Sequence, residues 1–175
     1  NDPPTLSAIS SPPAIEESGG SQTVSLAGIT AGGGESQTLS VSAVSSNPSL
    51  IPTPAVNYTT ADATGSLSYT PAANQRGSAT ITVTARDAGL DGVAGNDDDG
   101  AVSRVFTVTV KPNVAMTGFY SNGTDFKLEY FVVGAAVPSL RITIYASPDG
   151  TSLGQALQVV DAASGGPGLH VQTVP

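Results

Sequence analysis

An acidic, glycine-rich stretch between positions 87 and 100 holds the side chains with the clearest capacity for chemistry. Its aspartates are Asp87, Asp91, Asp97, Asp98 and Asp99, accompanied by Asn96 and four glycines. Calcium takes about six to eight oxygen ligands from carboxylates, carbonyls and water, and crowded carboxylates repel one another unless a cation neutralises them. The stretch therefore predicts a calcium site. The alternative is a solvated, flexible hairpin tip.

Calcium is the predicted cofactor, held by an irregular loop. The aspartate spacing matches neither an EF-hand loop nor the nonapeptide of repeat toxins. Magnesium fits less well, because it demands a stricter octahedral geometry and keeps its waters.

Catalytic arrangements are not evident in the sequence. The single histidine, His170, lies in a strand-like run, and we interpret it as an outward-facing strand residue. A hydrolase triad needs a base beside a nucleophile, and glycoside cleavage needs a carboxylate pair in a cleft. Aromatic residues make up only 5% of the chain and tryptophan is absent, which argues against a sugar-binding platform. We therefore predict a protein that is not an enzyme.

Charge and composition narrow the range of partners and compartments. The chain has 14 acidic residues against 6 lysines and arginines, for a net charge of −8. Nucleic-acid binding needs clustered basic residues, so it is not expected. No stretch approaches the roughly 18 apolar residues of a membrane-spanning helix. The absence of cysteine excludes disulfides. It is compatible with the cytosol and equally common in large bacterial surface proteins.

Short runs of alternating apolar and polar residues predict an all-β fold. Such alternation marks strands with one buried face and one solvated face. In the first part of the chain the runs are 23–29, 37–44, 56–59, 65–69, 79–86 and 102–110, the last with its apolar residues in mixed phase. Their spacing, broken by glycine, proline and asparagine, indicates an Ig-like Greek-key β-sandwich over residues 1–111.

A second, smaller β-sandwich module is predicted over residues 112–175, after a linker at 111–113. Its strands are expected at 114–120, 125–133, 140–146, 156–160 and 169–174, with tight turns at Asn122-Gly123 and Asp149-Gly150. About 60 residues are few for an independent sandwich, so we expect this module to be truncated or to lean on the first. The chain as a whole is expected to be a piece of a longer protein.

Three short motifs frame nearly all of the first segment. The opening Asn1-Asp2-Pro3-Pro4 is similar to the linker that begins cadherin-like and Ig-like tandem repeats of large bacterial surface proteins. The run from Tyr69 to Thr84 resembles their Tyr-x-Pro-x-x-Asn-x-x-Gly core, and Ala85-Arg86-Asp87-Ala88-Gly89 resembles their Ala-x-Asp-x-Gly element. The second segment resembles small Ig- or fibronectin-like modules of the same proteins.

The resemblance implies calcium ligands in the opening linker motif and in the motif that ends at Gly89, with a further one after the first strand. Asp2 matches the linker aspartate and Asp87 the strand-end aspartate, while Glu17, or Glu16 beside it, matches an acidic residue after the first strand. An Asp-x-Asp pair is absent, its place being taken by residues 31–35. In a sandwich of this type the 87–100 loop joins the last two strands at the end where the chain begins, so Asp2 should lie near it.

The sequence leaves two main functions open. The first is an extracellular structural or adhesion repeat at a bacterial cell surface, with calcium stiffening the N-terminal end of the first module against neighbouring modules of the same chain. The second is a subunit of a self-assembling filament or surface layer, joined through strand edges or other homophilic contacts. A ligand-binding domain appended to a secreted enzyme, and an intramolecular isopeptide bond at Lys111 or Lys127, are weaker alternatives.

Overall fold

The computed structural model describes residues 1–17, 19–121, 126–133, 140–145, 156–162 and 168–174. Strands and no helices occur in these ranges, so the predicted all-β fold is confirmed. The chain divides into two compact units, Asn1–Lys111 and Pro112–Pro175. Only Pro112 separates the last strand of the first unit from the first strand of the second, so the linker is shorter than the sequence indicated.

Two sheets make up the first unit. Its strands are β1 Ile15–Glu16, β2 Gln22–Ala27, β3 Leu39–Ser45, β4 Ala55–Asn57, β5 Thr64–Tyr69, β6 Gly77–Asp87 and β7 Ala101–Lys111. One sheet has the order β1-β7-β6-β3 and the other the order β2-β5-β4. The chain crosses between the sheets after β1, β2, β3 and β5, which is the Greek-key connectivity of an Ig-like sandwich.

The core lies between the inward faces of these two sheets. In β6 the residues Ala79, Ile81, Val83 and Ala85 are buried, while the threonines between them face outward. Leu26, Leu67 and Tyr69 belong to the same apolar cluster, from the opposite sheet. Period-2 alternation in the sequence therefore has its expected physical cause, a sheet with one packed face and one solvated face.

The buried apolar residues of β7 follow a single phase, and the mixed phase expected from the sequence comes from exposed residues such as Val105. Phe106, Val108 and Val110 are buried, whereas Val105 is 59% exposed. Val105 breaks the period-2 alternation of apolar residues along β7. The sequence cannot distinguish a valine on the outer face of a sheet from one on the inner face. Scattered exposed valines are ordinary on protein surfaces.

The N-terminal segment runs along both sheets, a feature that the sequence patterns did not reveal. Thr5 bridges Thr30, and the Ser7 amide donates to the Ala27 carbonyl at 2.9 Å, beside β2. The segment then crosses to the other sheet, where β1 pairs in parallel with the end of β7. A strand of two residues is too short to show any periodicity.

Five strands make up the described part of the second unit. They are β8 Asn113–Ser121, β9 Phe126–Val133, β10 Leu140–Tyr145, β11 Ala156–Ala162 and β12 Gly168–Val174. One sheet has the order β12-β9-β8, and β10 pairs with β11. Tyr130 and Val132 are buried, with Val114 and Ile142 packed against them. The predicted turns at Asn122-Gly123 and Asp149-Gly150 lie outside the described residues.

Candidate cation site at the N-terminal end of the first unit

The acidic loop connects β6 to β7, and the first residue of the chain lies against its base. The Asn1 side-chain amide donates to Asp87 Oδ1 at 3.2 Å and to the Asp98 carbonyl at 2.7 Å. Its own oxygen accepts a hydrogen bond of 2.7 Å from Gln37 Nε2. Asn1 therefore ties together the loop after β6 and the segment before β3.

Asp87 is the most constrained acidic residue of the loop. Only 1% of it is exposed, and Oδ1 accepts hydrogen bonds from the amides of Gly100 at 2.7 Å and Gly89 at 3.0 Å, besides that from Asn1. Burial raises the pKa of this carboxyl, but the hydrogen bonds from Gly100, Gly89 and Asn1 and the nearby amino group of Asn1 together lower the pKa below its usual value. Asp87 Oδ2 is buried and has no hydrogen-bond partner.

Asp99 supplies a second buried carboxylate. Its side chain is 0% exposed, and Oδ2 accepts from the Gly95 amide at 2.5 Å and lies 3.7 Å from an Arg86 guanidinium nitrogen. The other oxygen, Oδ1, is buried without a hydrogen-bond partner. An unpaired buried carboxylate oxygen is costly, so two of them in one loop call for a cation or ordered water.

The remaining loop aspartates are exposed at the surface. Asp91 accepts hydrogen bonds of 2.8 Å from the Val93 amide and from Asn96 Nδ2. Asp98 Oδ2 accepts one of 2.8 Å from the Leu90 amide. These two side chains therefore organise the backbone of the loop, and Asp97 is exposed beside them.

Asp2 lies at the same end of the first unit as Asp87, whereas Glu17 lies at the opposite end. Asp2 is exposed and packs against Gly33, and its backbone amide donates to Glu35 Oε2 at 3.3 Å, so it lies beside the 32–35 turn at the same end of the unit. Glu17 is buried just after β1, and its amide donates to the Lys111 carbonyl at 3.0 Å. Because Lys111 is at the far end of β7, roughly 33 Å of extended strand separates Glu17 from the acidic loop.

The structure thus brings only some of the predicted calcium ligands to the N-terminal end of the first unit. Across the ranges that the structure describes, no three His, Cys, Asp or Glu side chains are grouped closely enough to hold a metal ion. Asp87 and Asp99 are the loop residues whose unpartnered oxygens fit a cation. Asn1 and Glu35, which contact this end of the unit, were not singled out from sequence, because neither stands in an acidic run.

Gly100 offers a test of how tightly this site is packed. A Cβ at Gly100 would lie 2.5 Å from Asp87 Oδ2, 2.9 Å from Pro4 Cδ and 3.1 Å from Pro3 Cα. We expect Gly100→Ala to lower the free energy of unfolding by about 2–3 kcal/mol through overpacking, measured by urea denaturation. Gly92→Ala is the control: it has open space and a φ of +73°, and should cost only about 1 kcal/mol. Equal losses in the two variants would contradict the close packing at Gly100.

Two surface depressions in the first unit lack a catalytic pairing. One of about 280 Å³ is lined by Asn57, Tyr58, Thr59, Asp62, Thr64, Gly65 and Ser66. Another of about 260 Å³ is lined by Ser21, Pro52, Thr53, Ala55, Ser68, Tyr69 and Thr70. Neither lining includes a histidine or lysine that could activate its hydroxyl groups. His170 lies in β12, opposite Tyr130 of β9.

Lys111 is engaged in an ion pair within the first unit. Its Nζ lies 3.1 Å from Glu16 Oε1, and both side chains are partly exposed. Such surface pairs contribute little to stability. Separately, no helix in the described part of the chain has the length and apolar character needed to cross a membrane.

Comparison with known proteins finds similarity in structure only. No protein-family description and no curated protein sequence matches this chain. Among solved structures, it is similar to surface layer protein SbsC, domains 1–6, with 15% identity and a TM-score of 0.39 over 91% of this chain and 26% of that one. It is also similar to domains 5–6 of the S-layer protein SbsC, with 12% identity and a TM-score of 0.36 over 98% of this chain and 95% of that one. The chain thus spans about a quarter of the longer SbsC structure.

Proposed function

We propose that this chain is a non-catalytic structural or adhesion module pair of an extracellular or bacterial cell-surface protein, and that calcium stiffens the N-terminal end of its first unit. The observation that supports calcium is the pair of buried, unpartnered carboxylate oxygens of Asp87 and Asp99. The neighbouring modules of the same chain are its proposed partners.

Asp87 and Asp99 would be the protein's primary ligands. Both are buried at the base of the loop, where a hard cation meets little competition from water. Backbone carbonyls, water and the exposed Asp91, Asp97 and Asp98 would complete the shell, since calcium accepts irregular sets of oxygen ligands. Asp91 and Asp98 would first give up their hydrogen bonds to loop amides.

Binding of an ion in the loop would also stiffen the N-terminus of the unit, because Asn1 is hydrogen-bonded to the loop. Asn1 bonds to both Asp87 and the Asp98 carbonyl, so an ion that orders the loop also orders the point where the chain enters the first unit. Without an ion, Arg86 is the only basic side chain paired with a loop aspartate among the described residues. Repulsion between the carboxylates would then leave the loop, and any joint built on it, more mobile.

A calcium titration of thermal unfolding tests this proposal. An ion that binds only the folded state stabilises it by mass action, and a site with a dissociation constant of about 0.1 mM would gain about 2 kcal/mol at about 5 mM calcium. For a domain of this size we expect the melting temperature to rise by about 10 °C relative to EDTA. Scanning calorimetry of the whole chain would measure the change.

Matched variants locate the ion in the same experiment. Asp87→Asn and Asp99→Asn should each abolish the calcium-dependent rise, taken as the difference between calcium and EDTA for each variant. Asp62→Asn, an exposed aspartate outside the loop, should retain the full rise. An unchanged melting temperature of the native chain at about 5 mM calcium would refute the proposed site.

A self-assembling extracellular filament or surface layer is the second candidate function. The observation that favours it is an open strand edge in the first unit, where β3 pairs with β6 on one side and with no strand on the other. Open edges are templates for pairing between chains. In this reading, calcium and assembly are independent properties of the same unit.

A further inference from the structure

The four sheet edges of the first unit differ in how well they are covered. The β7 edge is covered by β1 and by the N-terminal segment, whose Ser11 hydroxyl accepts from the Thr107 amide at 2.9 Å and whose Leu6 carbonyl accepts from Arg104 Nε at 2.9 Å. The β2 edge is flanked by the same segment at Ser7. The β4 edge is only three residues long. The β3 edge is seven residues long, and no strand pairs with it, although the Thr60 hydroxyl accepts from the amide of its first residue, Leu39.

Alternate backbone groups of β3 point away from the sheet. The Ser46 amide donates to the Thr80 carbonyl at 2.9 Å, so the even-numbered positions of this segment face β6. The Leu39 amide instead donates to Thr60 Oγ1 at 2.9 Å, so the odd-numbered positions face the edge. Hydrogen-bonding positions alternate along an antiparallel strand, so the backbone amides and carbonyls of Val41 and Ala43 point towards the open edge of the sheet. No strand lies beside them there.

The side chains of β3 do nothing to discourage pairing. Its sequence is Leu39-Ser40-Val41-Ser42-Ala43-Val44-Ser45, without a charged residue or proline. Native proteins usually protect long edge strands with lysine, proline, bulges or inward-pointing charges. An unprotected edge of seven residues therefore indicates a surface that is covered in use.

We infer that β3 pairs antiparallel with β3 of a second copy of this chain, joining the two β1-β7-β6-β3 sheets into one continuous sheet. This inference rests on the assembly function proposed above and identifies the edge that would carry it. Centring the two-fold axis on Ser42 overlaps the whole of both strands. Val41 of each copy then exchanges backbone hydrogen bonds with Ala43 of the other.

The β3 edge suits contact between two copies better than other surfaces of the chain do, because the strand carries no charged side chain. The chain carries a net charge of −8, so most contacts between copies bring like charges together. In the two-fold pairing, the outward face of the joint carries Ser40, Ser42 and Val44 from both copies, all of them small and uncharged. The pairing therefore gains backbone hydrogen bonds with no like-charge contact within the strand.

A charge placed on the axis tests the inference. Ser42→Lys would set two ammonium groups directly opposite each other, and we expect it to raise the dissociation constant at least about tenfold. Ser103→Lys is the control, because Ser42, Thr84 and Ser103 form one cross-strand row on the outer face, with Ser103 on the covered edge. Sedimentation velocity of the 175-residue chain over a concentration series, in EDTA, would measure both.

Cysteine cross-linking checks the register independently of the charge variants. The chain has no cysteine, and residues facing each other at a non-hydrogen-bonded position have Cα atoms about 4.5 Å apart, within disulfide range. Ser42→Cys should form a covalent dimer under mild oxidation, and Ser103→Cys should not. Ser42 is exposed, so neither substitution should unfold the unit.

The outcomes separate this inference from the assembly function. A chain that associates and is weakened by Ser42→Lys, but not by Ser103→Lys, supports the β3 edge. Association that both lysine variants disrupt, or that neither affects, would overturn the edge while leaving assembly in place. A native chain that stays monomeric up to about 1 mM, with no Ser42→Cys dimer, would overturn both.

Discussion

Replacing Asp87 with alanine is expected to lower the free energy of unfolding of the first unit by about 3 kcal/mol, even in EDTA. The substitution leaves the amides of Gly100 and Gly89 without their shared acceptor, at a position where only 1% of the native residue is exposed. It also removes the anchor of the Asn1 amide. Urea denaturation in EDTA measures this structural contribution separately from any bound ion.

Asp91→Ala provides the matched control for that experiment. Asp91 also accepts hydrogen bonds from a backbone amide and from Asn96, but it is exposed, so water replaces those bonds when it is removed. We expect a loss of no more than about 1 kcal/mol. If Asp91→Ala were as destabilising as Asp87→Ala, the burial of Asp87 could not be the cause of its effect.

The pH dependence of stability offers a further check on Asp87. Burial raises its pKa, but the hydrogen bonds from Gly100, Gly89 and Asn1 and the amino group of Asn1 lower it further, so the folded-state pKa lies below the unfolded value. Stability from such a group is fully present above the unfolded pKa of about 3.9 and is lost as the pH falls through the folded pKa. This acid-dependent loss should be smaller in Asp87→Asn, when unfolding is followed in EDTA from pH 7 downward.

Phe106→Ala is expected to cost about 3–5 kcal/mol of unfolding free energy, because it removes a large side chain from the centre of the sandwich and leaves a cavity. Phe106 is 3% exposed and belongs to the cluster that joins the two sheets. It lies opposite Ile81, which is completely buried in β6. Chemical denaturation of the whole chain, followed by the transition of the first unit, measures this loss.

Val105→Ala is the control for the core variant. Val105 precedes Phe106 on β7 but points to the outer face and is 59% exposed. Its truncation should change the unfolding free energy by less than about 0.5 kcal/mol. A comparable loss of unfolding free energy in both variants would contradict the assignment of Phe106 to the buried face of β7 and Val105 to the exposed face.

The sequence alone determined the succession of the long strands along the chain, their approximate bounds and the inward face of β6. Ile81, Val83 and Ala85 alternate with threonines, and this period-2 pattern exists because only one face of the sheet is packed. The sequence also located the acidic loop between the last two strands of the first unit. Patterns of this kind involve residues that are adjacent in the sequence, so they can be recognised without knowing the tertiary structure.

Only the tertiary structure decided which acidic residues come together. The side chains of Asp87 and Asp99 are both buried in the β6–β7 hairpin, whereas Glu17 is held at the opposite end of β7. Asp2 lies against the 32–35 turn, at the same end of the unit as the hairpin loop. The tertiary structure also decided that the N-terminal segment covers the β7 edge and leaves β3 open. These facts depend on contacts between residues distant in sequence, and no local pattern of side chains records them.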